Sequence, residues 1–493
     1  MPRESVTIVY LAALIGLSAQ ALHSGLLLFL FLRHRREQAS RTDPPLVGEA
    51  PWVTVQVPLR NEQYAVSDLL AAVAALEWPR SRLELQVLDD SDDETTLLAQ
   101  EAVEQLRLQG LDASVLHRNE ASGAKAGALA HGLLTARGEY VAIFDADFRP
   151  QPDFLVRTVS AFSQAPALGG VQARWGHSNV FDSLLTRAQA LLLDVQFGVD
   201  HIARNRSHLL MNFNGTAGVW RRKAIEDAGG WQADTVCEDL DLSYRAQLAG
   251  WDMLYLPHVV VPAELPVTLR AFREQQRRWA KGAIQTFRKL ALPILRSPRL
   301  RVVQKVMALM HLSGYFVQPL LLVLLLCSLI LAVLAIDPPL WASPLGTLLA
   351  LPTLLVIVAQ GALYRDWPRR LLAFPVLLLL ASGLSGSLLS GLWDGMRHWG
   401  GEFHRTPKIP SAAREAQVGA TYRANNRLSA ADAALLLLSL ATLLVGLIRG
   451  APQHLVLPLL YVLGTGWAII DTLIARRGAK ASVSRRTELH PGG

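Results

Sequence analysis

Long apolar runs flank a central region of mixed composition. Five of them approach or exceed the ~20 apolar residues that a helix needs to cross a bilayer; they are residues 8–32, 311–336, 338–364, 433–448 and 455–475. The first run lacks a small-residue cleavage site, so we interpret it as a retained anchor rather than a signal peptide. The last two runs are predicted to form a hairpin.

A sixth apolar run, residues 371–392, is interrupted by Pro375, Gly383 and Gly386. If it crossed the membrane while the central region lay inside, the basic residues at 397–408 and 476–486 would lie outside. Lys and Arg tend to stay on the cytoplasmic side. We therefore predict five spans, with the N-terminus outside and the C-terminus inside, and an interfacial or re-entrant position for residues 371–392.

The central region alternates strand and helix patterns. Short β-rich runs fall at residues 52–57, 83–88, 113–117 and 140–144, and helical patterns fall at 65–77, 94–109 and 181–202. This order predicts an α/β domain, with an open, mostly parallel, Rossmann-like sheet covered by helices. Ligands bind beyond the carboxyl ends of such strands.

Polar residues follow three of these strands: Asn61 and Glu62, Asp89 and Asp90, and Asp145 and Asp147. An Asp-x-Asp at a strand end suits a hard divalent cation that also binds a substrate diphosphate, although most isolated Asp-x-Asp pairs are solvated loop acids. Asp89 and Asp90 suit a nucleoside, or equally the N-terminus of the following helix.

Three further segments carry charged chemistry. Lys125, within Gly-Ala-Lys-Ala-Gly, suits phosphate oxygens, but its spacing differs from that of a P-loop. Glu238 and Asp239 begin a helix, where a carboxylate serves either as a general base or as a simple helix cap.

Gln275, Arg278 and Trp279 share one face of a predicted amphipathic helix. Arg278 there suits a diphosphate, and Trp279 suits stacking on a sugar. The alternative is an interfacial helix whose arginines face lipid phosphates, which explains Gln275 less well.

Composition supports a membrane protein rather than a nucleic-acid binder. Charged residues make up 18% of the chain, against about 25% in soluble proteins. The net charge of +7 comes largely from Lys and Arg beside apolar runs, as in cytoplasmic loops. The two cysteines, Cys237 and Cys327, argue against a disulfide framework or a zinc site.

The ordered set of motifs between residues 52 and 282 resembles the membrane-integrated family 2 glycosyltransferases of the cellulose synthase-like type. Its members are Asp89-Asp90-Ser91, residues 123–127, Asp145-Ala146-Asp147, Phe213-Asn214-Gly215-Thr216, Glu238-Asp239 and Gln275-x-x-Arg278-Trp279. The resemblance implies a GT-A fold, an inverting transfer from a UDP- or GDP-sugar, and a divalent cation, Mg²⁺ or Mn²⁺.

The resemblance also implies residue roles. Asp239, beside Glu238, deprotonates the acceptor hydroxyl, and Asp145 and Asp147 serve the metal. The implied nucleotide-sugar contacts are Asn61, Glu62, Asp89, Asp90, Lys125, Asp145, Gln275 and Arg278. The implied acceptor contacts are Phe213, Asn214, Gly215, Thr216 and Trp279. Residues 403–408 resemble the loop that covers the site in this family.

Two residues depart from the family pattern. Cys237 stands where the family often has Thr, and Asn214 where cellulose synthases often have Cys. Neither change removes a charged group, so catalysis is expected to be intact, but they weaken the case for cellulose as the product.

The expected organisation is an anchor at 1–36, a cytoplasmic GT-A domain at 50–300, membrane helices at 303–475 with a cytoplasmic loop at 393–428, and a basic tail at 476–493. The protein is expected in the cell (inner) membrane. Two acceptors stay open. One is a growing β-linked polysaccharide (glucan, mannan or glucomannan) that passes through the membrane helices, and the other is a lipid such as diacylglycerol or polyprenyl phosphate. A non-catalytic carrier is disfavoured because Asp147, Asp239 and Arg278 are all present.

Overall fold

A computed structural model describes residues 2–35, 48–163, 165–339, 343–401 and 429–489 of the chain. The predicted loop at 403–408 and all side chains of the basic tail lie outside the described part. Within that part the α-helices, numbered in chain order, are α1 Pro2–His34, α2 Val66–Ala74, α3 Thr95–Leu108, α4 Ala124–Thr135, α5 Phe154–Val159, α6 Leu184–Val195, α7 His201–Arg206, α8 Arg222–Asp227, α9 Glu238–Ala249, α10 Leu269–Arg296, α11 Val302–Leu312, α12 Val317–Leu334, α13 Ser343–Leu348, α14 Leu351–Leu363, α15 Trp367–Arg370, α16 Phe374–Gly383, α17 Ser385–Arg397, α18 Ala430–Ile448 and α19 Val456–Leu489.

One seven-stranded sheet organises the central region. The strands are β1 Val53–Leu59, β2 Leu83–Asp89, β3 Asp112–His117, β4 Tyr140–Ile143, β5 Leu168–His177, β6 Gly218–Arg221 and β7 Asp252–Ala263. Their order across the sheet is β3-β2-β1-β4-β6-β5-β7. All pairs are parallel except the two made by β6. The predicted α/β class is therefore confirmed, and β5, β6 and β7 are additions that the sequence pattern did not supply.

The central strands are buried on both faces because helices cover both sides of the sheet. Every residue of β2 is buried, as are all but one of β1. Parallel pairing aligns the carboxyl ends of β1, β2 and β4 at one edge, as the strand pattern predicted.

The first strand runs two residues past the predicted end at residue 57. β1 continues through Pro58 to Leu59, and Pro58 lies opposite Leu88. Gln56 O accepts a hydrogen bond from Phe144 N. The backbone N and O of alternate residues of β1, including Pro58, therefore point toward β4. That neighbour ends at Ile143, so the missing proline N–H leaves no ladder bond unmade.

The helix predicted over residues 181–202 is divided. α6 leads into a π-helical turn, Gln196–Asp200, before α7 begins at His201. Tyr255 Oη donates to the carbonyl oxygen of Phe197 in this turn, at 2.6 Å. Such turns insert a residue into a helix and often occur at functional sites.

Within the described ranges, five helical stretches are long and apolar enough to cross a membrane, and they mark the chain as a membrane protein. They are Glu4–His34, Gly314–Leu334, Pro344–Leu363, Ala430–Ile448 and Pro452–Ile474. They coincide with the five predicted spans. The second begins three residues later than predicted, because residues 302–312 form the separate helix α11.

The interrupted sixth run forms a bent pair, Trp367–Gly383 and Ser385–Arg397, with an angle of 43° between its helices. At its start, the Arg370 guanidinium lies over the Phe181 ring of the sheet-containing region, 5.0 Å from the ring centre. At its end, Gln285 Nε2 donates to His398 O at 2.9 Å, and Gly400 N donates to Asp234 O at 2.7 Å. Both ends thus lie on the side of the sheet-containing region, which favours the interfacial or re-entrant position over a crossing.

Buried polar contacts join that region to the membrane helices. Arg204 is fully buried and donates to Asp200 and to His23 Nε2 of α1. Asp194 of α6 accepts from Gln360 Nε2 of α14 at 2.8 Å. Because buried polar groups need such partners, these contacts fix the helices against the sheet-containing region.

Candidate active site

The Asp-x-Asp follows directly after β4. The amide of Asp145 donates to Thr216 Oγ1 at 2.9 Å, and the amide of Ala217 donates to Ile143 O at 2.9 Å. The end of β4 is therefore fastened to the segment that enters β6, and both Asp145 and Asp147 line the large cavity beside it.

Lys125 lies in the first turn of α4 and faces this edge. Its Nζ lies 2.6 Å from Asp145 Oδ1, 2.9 Å from Gly215 O and 3.9 Å from Glu238 Oε1. The nearby carboxylates raise the pKa of Lys125 despite the opposing effect of burial. The ammonium is therefore a fixed positive charge at the centre of the acidic cluster.

Gly215 allows the backbone to approach the acids closely. Its φ is +81°, and a Cβ atom there would lie 2.9 Å from Asp239 Oδ2 and 3.3 Å from Lys125 Nζ. A side chain would therefore be strained and would also crowd both charged groups.

Glu238 and Asp239 occupy the first turn of α9. Burial, and next the charge of Glu238, raise the pKa of Asp239 to about 7. Burial also raises the pKa of Glu238. The N-terminus of a helix favours carboxylate ions, so burial and crowding outweigh it here. A carboxyl group with a pKa near neutrality is well matched to a general base.

The helix α10 adds the remaining predicted groups. Gln275, Arg278 and Trp279 all line the cavity. Gly282, one turn further, makes this possible, because any Cβ there would overlap Cys237 Sγ. α10 thus packs directly on the start of α9 and brings Arg278 to the acids.

The cavity has a volume of about 950 Å³ and extends well beyond the charged cluster. One end contains Asp90, Asp145 and Asp239, and the other reaches Gln318 and Leu384 of the membrane helices. One continuous space therefore joins the acidic cluster to the membrane region.

Twelve of the sixteen predicted site residues line this cavity. They are Glu62, Asp90, Lys125, Asp145, Asp147, Asn214, Gly215, Glu238, Asp239, Gln275, Arg278 and Trp279.

The other four are absent from its lining. Asp89 is fully buried and accepts from Ser91 N, Thr96 Oγ1 and His117. Asn61 bonds to Asp92 and Ser91, which joins the loops after β1 and β2. Phe213 packs against Trp220 in the core. These residues and Thr216 lie behind the cavity lining, and the substrate contacts expected of them stay predictions.

Sequence reasoning missed two groups at the site. Arg118 donates from Nε and Nη2 to the two oxygens of Asp90, at 2.7 and 2.5 Å. The buried imidazole of His201 contacts Asn214, with 2.7 Å between Nε2 and Oδ1. Only the folded sheet brings these residues close, so no local motif signals them.

The acidic residues fit a divalent cation only if a substrate completes its coordination. Across the described ranges, no group of three or more His, Cys, Asp or Glu side chains is arranged to hold a metal. Asp145 and Asp147 offer carboxylate oxygens to one cavity. Mg²⁺ is typically bound by one or two carboxylates together with substrate phosphates, so two acids suffice.

Comparison with known proteins places these features in a family. A family model described as glycosyltransferase like family 2 matches residues 50–282. A probable glucomannan 4-beta-mannosyltransferase 7 of Oryza sativa is 36% identical over 77% of this chain and 66% of its own length. Glucomannan 4-beta-mannosyltransferase 2 of Arabidopsis thaliana is 43% identical over 52% of this chain and 49% of its own. The chain thus spans about half to two thirds of these relatives' lengths.

A solved structure shares the fold. The mannosyltransferase of Pyrobaculum calidifontis, in complex with GDP-Man and Mn²⁺, superposes with a TM-score of 0.51 at 22% identity, covering 78% of this chain and 99% of its own. The likeness confirms the predicted GT-A fold.

Proposed function

The chain belongs to glycosyltransferase family 2, and we propose that it transfers a sugar, with inversion, from a nucleoside-diphosphate sugar to a growing β-linked polysaccharide. The observation that carries this proposal is the single cavity in which Asp239, Lys125 and Arg278 meet and which continues to the membrane helices. The sugar transfer and the roles of individual residues in it belong to the same proposal.

GDP-mannose is the proposed donor. The relatives are named as mannosyltransferases, and the structural neighbour was solved with GDP-Man. Glu62 and Asp90 lie at the end of the cavity that follows β1 and β2, where nucleosides bind in sheets of this kind.

Asp239 is the proposed base. Its carboxylate takes the proton of an acceptor hydroxyl while that oxygen attacks the anomeric carbon from the face opposite the diphosphate. The bond from the anomeric carbon to the diphosphate oxygen breaks, and the anomeric configuration inverts. Lys125 and Arg278 stabilise the charge on the departing diphosphate.

Asp145 and Asp147 would hold a divalent cation together with the diphosphate. When bound, such an ion neutralises negative charge on the leaving group. Lys125 already contacts Asp145 Oδ1. The Asp145 carboxylate would therefore lie between the ammonium group and the cation.

The membrane end of the cavity supports a second candidate acceptor. It is lined largely by leucines, which are Leu17, Leu321, Leu377, Leu380, Leu384 and Leu388. An apolar wall suits the hydrocarbon chain of a lipid acceptor. Gln20, Ser24 and Gln318 interrupt the wall with polar groups, which suits the hydroxyls of a sugar chain.

The sheet-containing region is proposed to face the cytoplasm, where nucleotide sugars are made. With five spans and a re-entrant pair, the basic Arg369, Arg370 and Arg397 lie on that same side, as the positive-inside tendency requires.

Transfer assays test the proposal. The full chain in nanodiscs would be given radiolabelled GDP-mannose, UDP-glucose or UDP-N-acetylglucosamine with Mg²⁺ or Mn²⁺, and products would be divided into organic-soluble and ethanol-insoluble fractions. We expect labelled mannose in the insoluble fraction. Asp239→Asn should lose this incorporation, whereas Asp227→Asn, which changes an exposed acid on α8, should retain it. Label only in the organic fraction would favour the lipid acceptor, and no transfer from any donor would refute the assignment.

A further inference from the structure

His201 is buried beside the active site without a role in the scheme above. It has 0% exposure and opens α7, directly after the π-helical turn. The rings of Phe197 and Tyr255 enclose it, with centroids 5.2 and 5.1 Å from the imidazole centre. A histidine in such an apolar enclosure is costly unless its polar atoms are used.

The imidazole uses one polar atom, on Asn214. Burial lowers the pKa of His201, so the ring is neutral and carries one N–H. Nε2 lies 2.7 Å from Asn214 Oδ1, and Nδ1 has no hydrogen-bond partner among the described residues. A hydrogen on Nδ1 would be a buried donor without an acceptor, so the hydrogen lies on Nε2, which donates it to the amide oxygen of Asn214.

This bond fixes which way the Asn214 amide points. With Oδ1 accepting from His201, the two N–H donors of Nδ2 lie at the other end of the amide group. The backbone N of Asn214 donates to Gln172 Oε1 at 2.8 Å, which holds the residue from behind. Asn214 lines the cavity, and its neighbour Gly215 contacts the space beside Asp239.

We propose that Asn214 Nδ2 donates a hydrogen bond to a hydroxyl or ring oxygen of the acceptor sugar, and that His201 is a positioning residue that keeps the amide in this orientation. The inference rests on the proposed function. It places a hydrogen-bond donor, Asn214 Nδ2, at the acceptor site, next to Gly215, which lies beside Asp239. A rotated amide would present Oδ1 to the cavity instead and would accept from the sugar rather than donate to it.

The cost of the arrangement supports a functional purpose. Leaving a buried acceptor such as His201 Nδ1 unsatisfied destabilises the fold, whereas an aromatic hydrocarbon would fill the same enclosure without that cost. The imidazole therefore contributes its Nε2 donor rather than packing alone.

Equilibrium binding of mannotetraose, without any donor, tests the inference. The full chain in nanodiscs would be compared with His201→Phe, which fills the enclosure without the donor, and with His201→Gln, whose Nε2 reaches the same place. Asn214→Leu removes the amide at nearly constant volume and covers the case in which His201→Phe does not fold. GDP binding serves as the control for an intact nucleotide end.

We expect His201→Phe and Asn214→Leu to weaken mannotetraose binding about three- to tenfold, the range for one lost hydrogen bond, while His201→Gln binds like the wild type. Equal binding by the wild type and Asn214→Leu would overturn the inference, as would no binding by the wild type. The expected pattern in a protein that transfers no sugar would support the inference while the proposed function alone fails.

Discussion

The pKa of Asp239 is set first by burial and then by its charged neighbours. Glu238 and Asp145 raise its pKa, Lys125 lowers it, and burial adds the largest upward effect, giving about 7. We expect kcat/KM for transfer to fall as the pH drops below about 7, because protonation removes the base. Asp239→Asn should lower transfer by about 100-fold or more and abolish this acidic limb. An unchanged limb in a residually active Asp239→Asn would show that another group titrates.

The same pKa shift affects stability with the opposite sign to that of a paired carboxylate. Because the folded state holds the Asp239 proton more tightly than the unfolded state, stability is lost as the pH rises from the ordinary carboxyl range through about 7. Asp239→Asn therefore should not lower the melting temperature at pH values above that point. This separates a loss of catalysis from a loss of fold.

The helix α10 packs closely against two other helices, α9 and α17, at glycine positions. Gly282 packs on Cys237 of the α9 turn, and a Cβ at Gly391 of α17 would overlap Arg277 O. Arg273 of α10 also forms a buried ion pair with Asp432 of α18, and its Nε donates to Ser387 Oγ at 3.0 Å. The position of Arg278 is thus set by elements far apart in sequence.

Gly282→Ala tests this packing. The methyl group should force α10 from α9, destabilise the protein by ~1–3 kcal/mol and lower transfer about tenfold to 100-fold through misplacement of Arg278. Thermal melting and transfer rates measure both effects, and Cys237→Ala should partly restore them. Gly361→Ala in α14, where a Cβ meets nothing within 4 Å, is the matched control and should be nearly neutral.

The interfacial or re-entrant position of the bent pair predicts that the chain crosses the membrane five times. In a variant without Cys237 and Cys327, an impermeant maleimide on intact cells should label Asp337→Cys and Arg449→Cys, and should label His398→Cys only after permeabilisation. The His398 side chain is exposed, so its protection would report sidedness rather than burial. Labelling of His398→Cys on intact cells would establish six crossings.

Sequence predicted those features that depend on local order. The strand ends that carry Asp90 and Asp145 meet because parallel pairing aligns them. The break near Gly383 follows from the proline and glycines of that run. It missed features that depend on tertiary contact. Asp89 turns inward to His117, and His201 contacts Asn214, which lies on the segment between α7 and β6. The domain limits and residue roles stay predictions.

The cavity wall has a consequence for biosynthesis. Its lining extends from Leu17 in the first helix to Leu388 in the bent pair, so the ribosome must pass residue 388 before that wall is complete. A nascent protein halted after residue 300 would already hold every acidic side chain of the catalytic cluster, yet the chamber for its acceptor would lack one side. Under the proposed function, transfer therefore waits for membrane insertion of the later helices, because only they complete the wall around the acceptor.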